Sequence, residues 1–242
     1  MHAPRGQTGH PQAAGAGPPR KPPLALFDLD NTLVDRTAGL RQWAEEFTRE
    51  RGLGTTAVEW IIEADDNGLK PRDRFFAGIR DRFRIGDNAE VLHHAYQQRY
   101  PLFLRCPQHV LDQITQLRES GWRVGVLTNG LTLTQGAVLE HTGLARYLDG
   151  WCISEEAGIR KPDPGIFALA AERCGSDLTA GWMCGDSPDA DIIGARLVGL
   201  HTIWIRHGRT WPAFTPQPDR TVDSITEALQ ALRKTGSPVR PG

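Results

Sequence analysis

At 242 residues, 39% of them hydrophobic and 24% charged, the chain has the make-up of a soluble globular protein with room for one large domain or a domain plus a smaller module. A formal net charge of -1 and a pI near 6.7 offer no general attraction to nucleic acid or to an anionic membrane, and no apolar run nears the roughly 18 residues of a membrane span. Cys106, Cys152, Cys174 and Cys184 stand far apart with no Cys-x-x-Cys pair, which points away from a zinc site or disulfide framework and toward buried, reduced thiols in a cytoplasmic protein.

Residues 1–23, rich in Gly, Pro and Ala and without the apolar centre of a secretory signal, are expected to be a disordered leader. Leu24 to Phe27, entered from a proline pair, read as a short buried strand, and Asp28 marks where it emerges at the sheet's edge. In an extended chain Asp28 and Asp30 project to one side, about 7 Å apart. Two carboxylates so placed repel unless a cation sits there or one keeps its proton, so the pair suggests a site rather than scaffold.

A helical tract follows. Trp43 and Phe47 share a face of a helix that stops near Gly52, and a second helix over 55–68 closes at Asn67-Gly68. Pro71 suits the first turn of a third, which carries Phe75, Phe76, Ile79 and Phe83 on one side, and a fourth over 88–100 ends before Pro101. Lys70, Arg72, Arg74, Arg80, Arg82 and Arg84 read first as a solvated helix face paired with Asp73 and Asp81. Alternatively the loop 65–72 dips over a site and one cation meets the acidic part of a substrate. His93, His94 and His201 read as core-edge or surface histidines, since no third metal ligand stands at suitable spacing.

From residue 107 onward helices are expected over 108–121, 134–143, 164–175 and 189–199, alternating with strands over 122–130, 149–154, 180–186 and 201–206. That alternation implies a doubly wound, Rossmann-like parallel sheet covered on both faces. Roughly a hundred residues separate Asp28 from Thr128, where a strand–helix–strand unit takes about 30. The excess, 36–105, reads as an inserted helical cap lying lid-like over the carboxyl ends of the strands, where open sheets bind ligands. Residues 24–35 and 106–233 then form the core, and 234–242 a disordered tail.

Four stretches fall at ends of predicted strands: Asp-Leu-Asp-Asn-Thr-Leu (28–33), Leu-Thr-Asn (127–129), Arg-Lys-Pro-Asp-Pro (160–164) and Gly-Asp-Ser-Pro-Asp-Ala-Asp (185–191). Carboxylates, small hydroxyl and amide donors and one lysine, converging at one edge, are the groups phosphoryl transfer needs. In this order the four resemble the motifs of the haloacid dehalogenase-like hydrolase superfamily, and the inserted bundle resembles its alpha-helical cap. The resemblance spans about residues 24–232.

The resemblance implies a Mg²⁺-dependent phosphatase acting on a small phosphorylated metabolite, and the charge and hydropathy above point away from nucleic acid and membrane as partners. It makes Asp28 the nucleophile, forming an aspartyl-phosphate, and Asp30 the acid and then base. Thr128 and the Asn129 amide would hold phosphoryl oxygens, and Lys161 would balance the charge of nucleophile and phosphate. Asp28, Asp186 and the Asp30 carbonyl would ligate the metal, with Asp191 orienting a metal water or Lys161. Asp30 argues against dehalogenation, whose branch lacks an acid there. Ala190 stands where many relatives carry a polar group, and Asp189 reads as solvent-facing. Ser187 reads as a helix start rather than a serine-hydrolase nucleophile, Thr32 as a structural hydroxyl and Trp204 as core, with Arg206 and His207 near the cleft. Rival readings are a sugar phosphomutase of the same fold, a phospho-accepting signalling module and a non-catalytic binding protein.

Overall fold

Apolar runs too short for helices become the strands of one sheet. The structure, a computed structural model, describes residues 21–213 and 215–235. The strands are β1 (Leu24–Phe27), β2 (Arg123–Thr128), β3 (Gly150–Ile153), β4 (Trp182–Gly185), β5 (His201–Ile205) and β6 (Arg220–Val222). They lie in the order β3-β2-β1-β4-β5-β6, and every pairing is parallel. All four residues of β1 are buried, as expected of an inner strand covered on both sides. Alternation divides them: Ala25 and Phe27 join one apolar cluster with residues of α5 (Gln108–Glu119) and α10 (Ile225–Lys234). Leu24 and Leu26 join the other, with residues of α8 (Pro164–Arg173) and α9 (Gly194–Leu197). The doubly wound α/β fold is therefore as expected from the sequence.

Between β1 and β2 lie α1 (Arg36–Glu50), α2 (Thr56–Asp65), α3 (Arg72–Phe83) and α4 (Ala89–Arg99). Their shared core is aromatic. Trp43 meets Tyr96 edge-on with ring centroids 4.8 Å apart and tilts against Phe47 at 5.0 Å, and Phe75 meets Phe76 at 4.9 Å. These residues belong to the same buried cluster as Phe27 and Leu33, so the helices rest on the sheet through continuous apolar packing.

Some boundaries depart from the sequence reading. The expected leader 1–23 is too long, because the Pro23 carbonyl accepts from the Arg123 amide at 2.8 Å and the Pro22 carbonyl accepts from the Ser176 hydroxyl; residues 1–20 lie outside the described residues. The expected tail begins too early, since α10 runs through Lys234, and residues 236–242 lie outside the described residues. The sequence reading did not foresee β6 and α10. β6 is three residues long and polar, and thus silent to periodicity, but α10 carried a legible signal: Ser224 caps it through the Glu227 amide, and the Glu227 carboxylate accepts from the Asp223 amide. Chain reversal after α2 uses left-handed backbone at Asp66 and Asn67 (φ 51 and 50).

That reversal is anchored by Asp65, which is fully buried. Its carboxylate accepts from Arg36 at 2.7 and 2.8 Å, from Arg72 at 2.8 Å and from the Gly68 amide at 2.8 Å. Removing its charge leaves two largely buried guanidinium groups without their counter-ion. Asp65→Asn is therefore expected to lower stability by about 3 kcal/mol, seen as an earlier midpoint in urea denaturation. An unchanged midpoint would show that the arginines find other partners.

Candidate functional site

Parallel strands deliver their carboxyl ends to one edge, and there the four motifs meet. A cavity of about 660 Å³ is lined by Asp28, Asp30, Thr128, Asn129, Lys161, Asp186 and Asp191. All seven residues singled out in the sequence thus share one space, although 163 positions separate the first from the last.

Lys161 ties them together. Its buried ammonium donates to Asp28 Oδ1, Asp191 Oδ1 and the Leu127 carbonyl, each at 2.7 Å, which uses all three of its protons. Asn129 fixes the lysine's own backbone: its side-chain oxygen accepts from the Lys161 amide at 2.9 Å and its Nδ2 donates to the Lys161 carbonyl at 3.0 Å. The other oxygen of Asp191 accepts from the Ser187 amide at 2.9 Å. A Cβ at Gly185 would come within 2.2 Å of that oxygen, so the position before Asp186 must be glycine for Asp191 to lie where it does.

Asp28, Asp186 and Asp191 each present a carboxylate oxygen within 4.8 Å of the others. Burial pushes the Asp28 carboxyl well up; Lys161 opposes this, while Asp191 and Asp186 add to it. Burial, then Asp191, pushes Asp186 up to about 6 against the pull of Arg209 and His207. The same contacts with Asp191 and Asp28 hold Lys161 above its ordinary value despite its burial, so it remains an ammonium. Hard oxygen donors crowded at the expense of their own ionisation fit a hard divalent cation, which would relieve the repulsion.

Asp30 is placed otherwise than an extended chain would place it. After Asp28, whose amide still bonds the Cys184 carbonyl, the backbone turns so that Leu29 O accepts from the amides of Thr32, Leu33 and Val34, with Asn31 left-handed (φ 55). Asp30 still lines the same cavity as Asp28 but keeps its own partner: Gln135 Nε2 donates to its Oδ2 at 2.9 Å and lies 3.0 Å from Thr128 Oγ1. Asp30 Oδ1 is buried without a hydrogen-bond partner among the described residues. Thr32 is buried and does not line the cavity.

Gln135 and Arg209 were missed in the sequence. Gln135 sits in α6 (Thr132–His141), which begins two residues before the expected start; nothing local marks a helical glutamine as belonging to a strand-end site. Arg209 donates to the Asp186 carbonyl at 2.7 Å and to its Oδ2 at 3.0 Å, and the indole of Trp204, core as expected, bonds the same carbonyl at 3.0 Å. Of the two residues expected near the cleft, Arg206 pairs instead with Asp223, and His207 hydrogen-bonds the Asn31 carbonyl at 2.6 Å. Ser187 starts a helical turn by accepting from the Ala190 amide, and Asp189 is exposed. Among the basic residues Arg80 pairs with Asp81 as expected, whereas residues 67–72, Arg72 and Lys70 included, line the cavity. His93, expected at a core edge or surface, lines it too, stacked on Phe76 at 4.9 Å. Cys152, Cys174 and Cys184 are buried thiols, and Cys106 is half-buried.

Residues 23–199 match the family model of haloacid dehalogenase-like hydrolases. The glyceraldehyde 3-phosphate phosphatase of Methanopyrus kandleri is 34% identical over 86% of this chain and 96% of its own. The phosphoserine phosphatase of Thermus thermophilus is 33% identical over 86% of this chain and 98% of its own. The magnesium-bound HAD-hydrolase YfnB of Bacillus subtilis superposes with a TM-score of 0.69 at 22% identity, covering 88% of this chain and 99% of that one, a likeness of fold.

The contact at Gly185 is open to a direct check. Gly185→Ala should push Asp191 away from Lys161 and the Ser187 amide and lower stability by about 1–3 kcal/mol, read as a lower thermal midpoint. Gly136→Ala is the control: it lies inside α6 with nothing within 4 Å of an added Cβ, and it should leave the midpoint unchanged or slightly raised. Equal midpoints for the two variants would show that the Asp191 arrangement tolerates displacement.

Proposed function

The chain belongs to the haloacid dehalogenase-like hydrolase family, and we propose that it hydrolyses a small phosphomonoester through a phosphate ester of Asp28, with the help of Mg²⁺. The observation that carries this is the Lys161 ammonium shared between Asp28 and Asp191 at the floor of a cavity that Asp30 also lines. The relatives' names support hydrolysis of small phosphorylated metabolites over transfer within a sugar phosphate.

In this reading Asp28 Oδ attacks phosphorus and the bond to the leaving alcohol breaks. Asp30, whose Oδ1 has no competing partner, gives its proton to that alcohol's oxygen. Water then attacks the phosphorus of the Asp28 ester and loses a proton to Asp30. The P–O bond to Asp28 breaks and inorganic phosphate leaves. Gln135 holds Asp30 and Thr128 in fixed relation, and Thr128 with the Asn129 amide would take phosphoryl oxygens. Lys161 opposes the charge shared by Asp28 and the phosphoryl group, as a buried preorganised cation does without reorganising during the reaction. The Asp28 and Asp186 carboxylates and the Asp30 carbonyl would hold Mg²⁺, which supplies further positive charge toward the phosphoryl oxygens. Asp191, engaged by Lys161 and the Ser187 amide, would orient rather than ligate. We propose residues 36–105 as a cap that shields the reaction from bulk water.

Asp28→Asn should lower turnover of p-nitrophenyl phosphate about a thousandfold or more while circular dichroism shows an unaltered fold; activity within tenfold of wild type would remove Asp28 as nucleophile. Millimolar Mg²⁺ should raise the thermal midpoint of the chelator-treated protein by several degrees, from about 2.7 kcal/mol at a hundredfold excess over Kd, and Asp186→Asn should abolish the rise. A midpoint indifferent to Mg²⁺ in the wild type would end the metal assignment.

A further inference from the structure

The inference below rests on the phosphatase reading and concerns the opposite wall of the same cavity. Its floor is acidic: Asp28, Asp30, Asp186 and Asp191 face two cations, Lys161 and Arg209. The wall contributed by residues 36–105 has the reverse character. Arg36, Lys70, Arg72, His93, Tyr96 and Tyr100 line it, and none of the described lining residues from this stretch is acidic. The carboxylate of Asp65, behind the wall, meets the guanidinium groups of both Arg36 and Arg72. Lys70 has no ion-pair partner among the described residues. One negative charge thus stands against three positive ones.

A second observation, independent of charge, concerns the same wall. Among the described residues, His93 Nε2 and Tyr100 Oη are buried with no hydrogen-bond partner, and Tyr100 is 3% exposed. Buried polar atoms are rarely left so, and they mark places where another molecule completes the bonding. Burial and the neighbouring Arg72 lower the His93 pKa, so its neutral ring meets an oxyanion through a ring N–H rather than through charge, and the charge comes from Lys70 and Arg72. On the sheet side of the rim Glu155 and Arg160, both exposed, oppose one another in sign.

The geometry points to a subsite for a second oxyanion: Lys70, Arg72, His93 and Tyr100 receive a carboxylate or second phosphate at the far end of the leaving group. The preferred substrates are accordingly phosphomonoesters whose alcohol portion is itself anionic, rather than esters of neutral alcohols. The phosphoryl group lies over the acidic floor with its cations, and the leaving group's charge lies against the basic wall.

A matched series tests this with the full chain and Mg²⁺. Ethyl phosphate, 2-phosphoglycolate, ethane-1,2-diol bisphosphate and O-phosphoethanolamine share a two-carbon leaving group that is neutral, carboxylated, phosphorylated or cationic, and propyl phosphate and 3-phosphooxypropanoate extend the first two by one carbon. The expected result is a kcat/KM about tenfold or more higher for an anionic leaving group than for its neutral counterpart, with phosphoethanolamine lowest. The carboxylate and bisphosphate arms decide between the two anions. Lys70→Gln, which disturbs no contact in the fold, should cut the anionic-to-neutral ratio several-fold, mainly through KM; Arg72→Gln should cut it further. Ratios near one throughout, with p-nitrophenyl phosphate turned over, would overturn the subsite and leave the phosphatase reading intact. Calorimetric binding of 2-phosphoglycolate and ethyl phosphate to Asp28→Asn supplies the same ratio without turnover. A preference there in a protein inactive in wild-type form would uphold the subsite and overturn the phosphatase reading.

Discussion

A single buried ammonium makes the rest of the site possible. Carboxylates at the ends of β1 and β4 and in the turn after β4 converge because parallel strands share a direction, and at such separations they would drive one another toward protonation. Lys161 reaches two of them and a main-chain carbonyl at once. Its own placement is set by Asn129, which grips the lysine's backbone on both sides. The second motif therefore positions the third, and the third positions the first and fourth. A cation locked in this way gains its electrostatic effect from being already in place, since none of the surrounding dipoles must move when charge develops.

The residual imbalance is as informative as the pairing. Burial first, and then the neighbouring carboxylates, raise the Asp28 and Asp186 carboxyls further than Lys161 and Arg209 bring them down. Arg209 and Trp204 both hold the Asp186 carbonyl, which restrains its backbone from carrying the carboxylate away from its neighbours. Carboxylates held together by packing favour a cation among them, because its charge offsets their mutual repulsion.

How much of this could be read from the chain depended on whether the information was local. Strands β1 to β5, their parallel pairing and the seven motif residues were legible because apolar runs ending in Asp, Thr-Asn or Gly-Asp carry their meaning within a few residues. The turn that separates Asp30 from the strand line was not, since it depends on a left-handed Asn31 whose side chain accepts from the Thr37 amide six residues on. Gln135 and Arg209 were invisible for another reason: each acts on a motif residue through a tertiary contact, and nothing in a helical glutamine or a loop arginine announces the partner. The basic stretch around residue 72 shows the limit plainly. Sequence offered a solvated face and a loop over the site as alternatives, and the three-dimensional fact that divides them is that Asp65 turns Arg72 inward while Arg80 stays with Asp81.

Charge in the cavity is therefore sorted by layer. The sheet edge supplies acids, which suit a dication and a phosphoryl group bound with it; the helices between β1 and β2 supply bases, which suit whatever the phosphoryl group is attached to. Besides their apolar packing, the two layers meet at Asn31, whose Nδ2 donates to Asn67 Oδ1 at 3.3 Å while its carbonyl accepts from His207 on the sheet side. The turn that carries Asp30 is thus also a place where the two layers meet. In the proposed reading, contacts made at the far end of a substrate speed the reaction only so far as they are stronger in the transition state than in the ground state; otherwise they add to affinity alone.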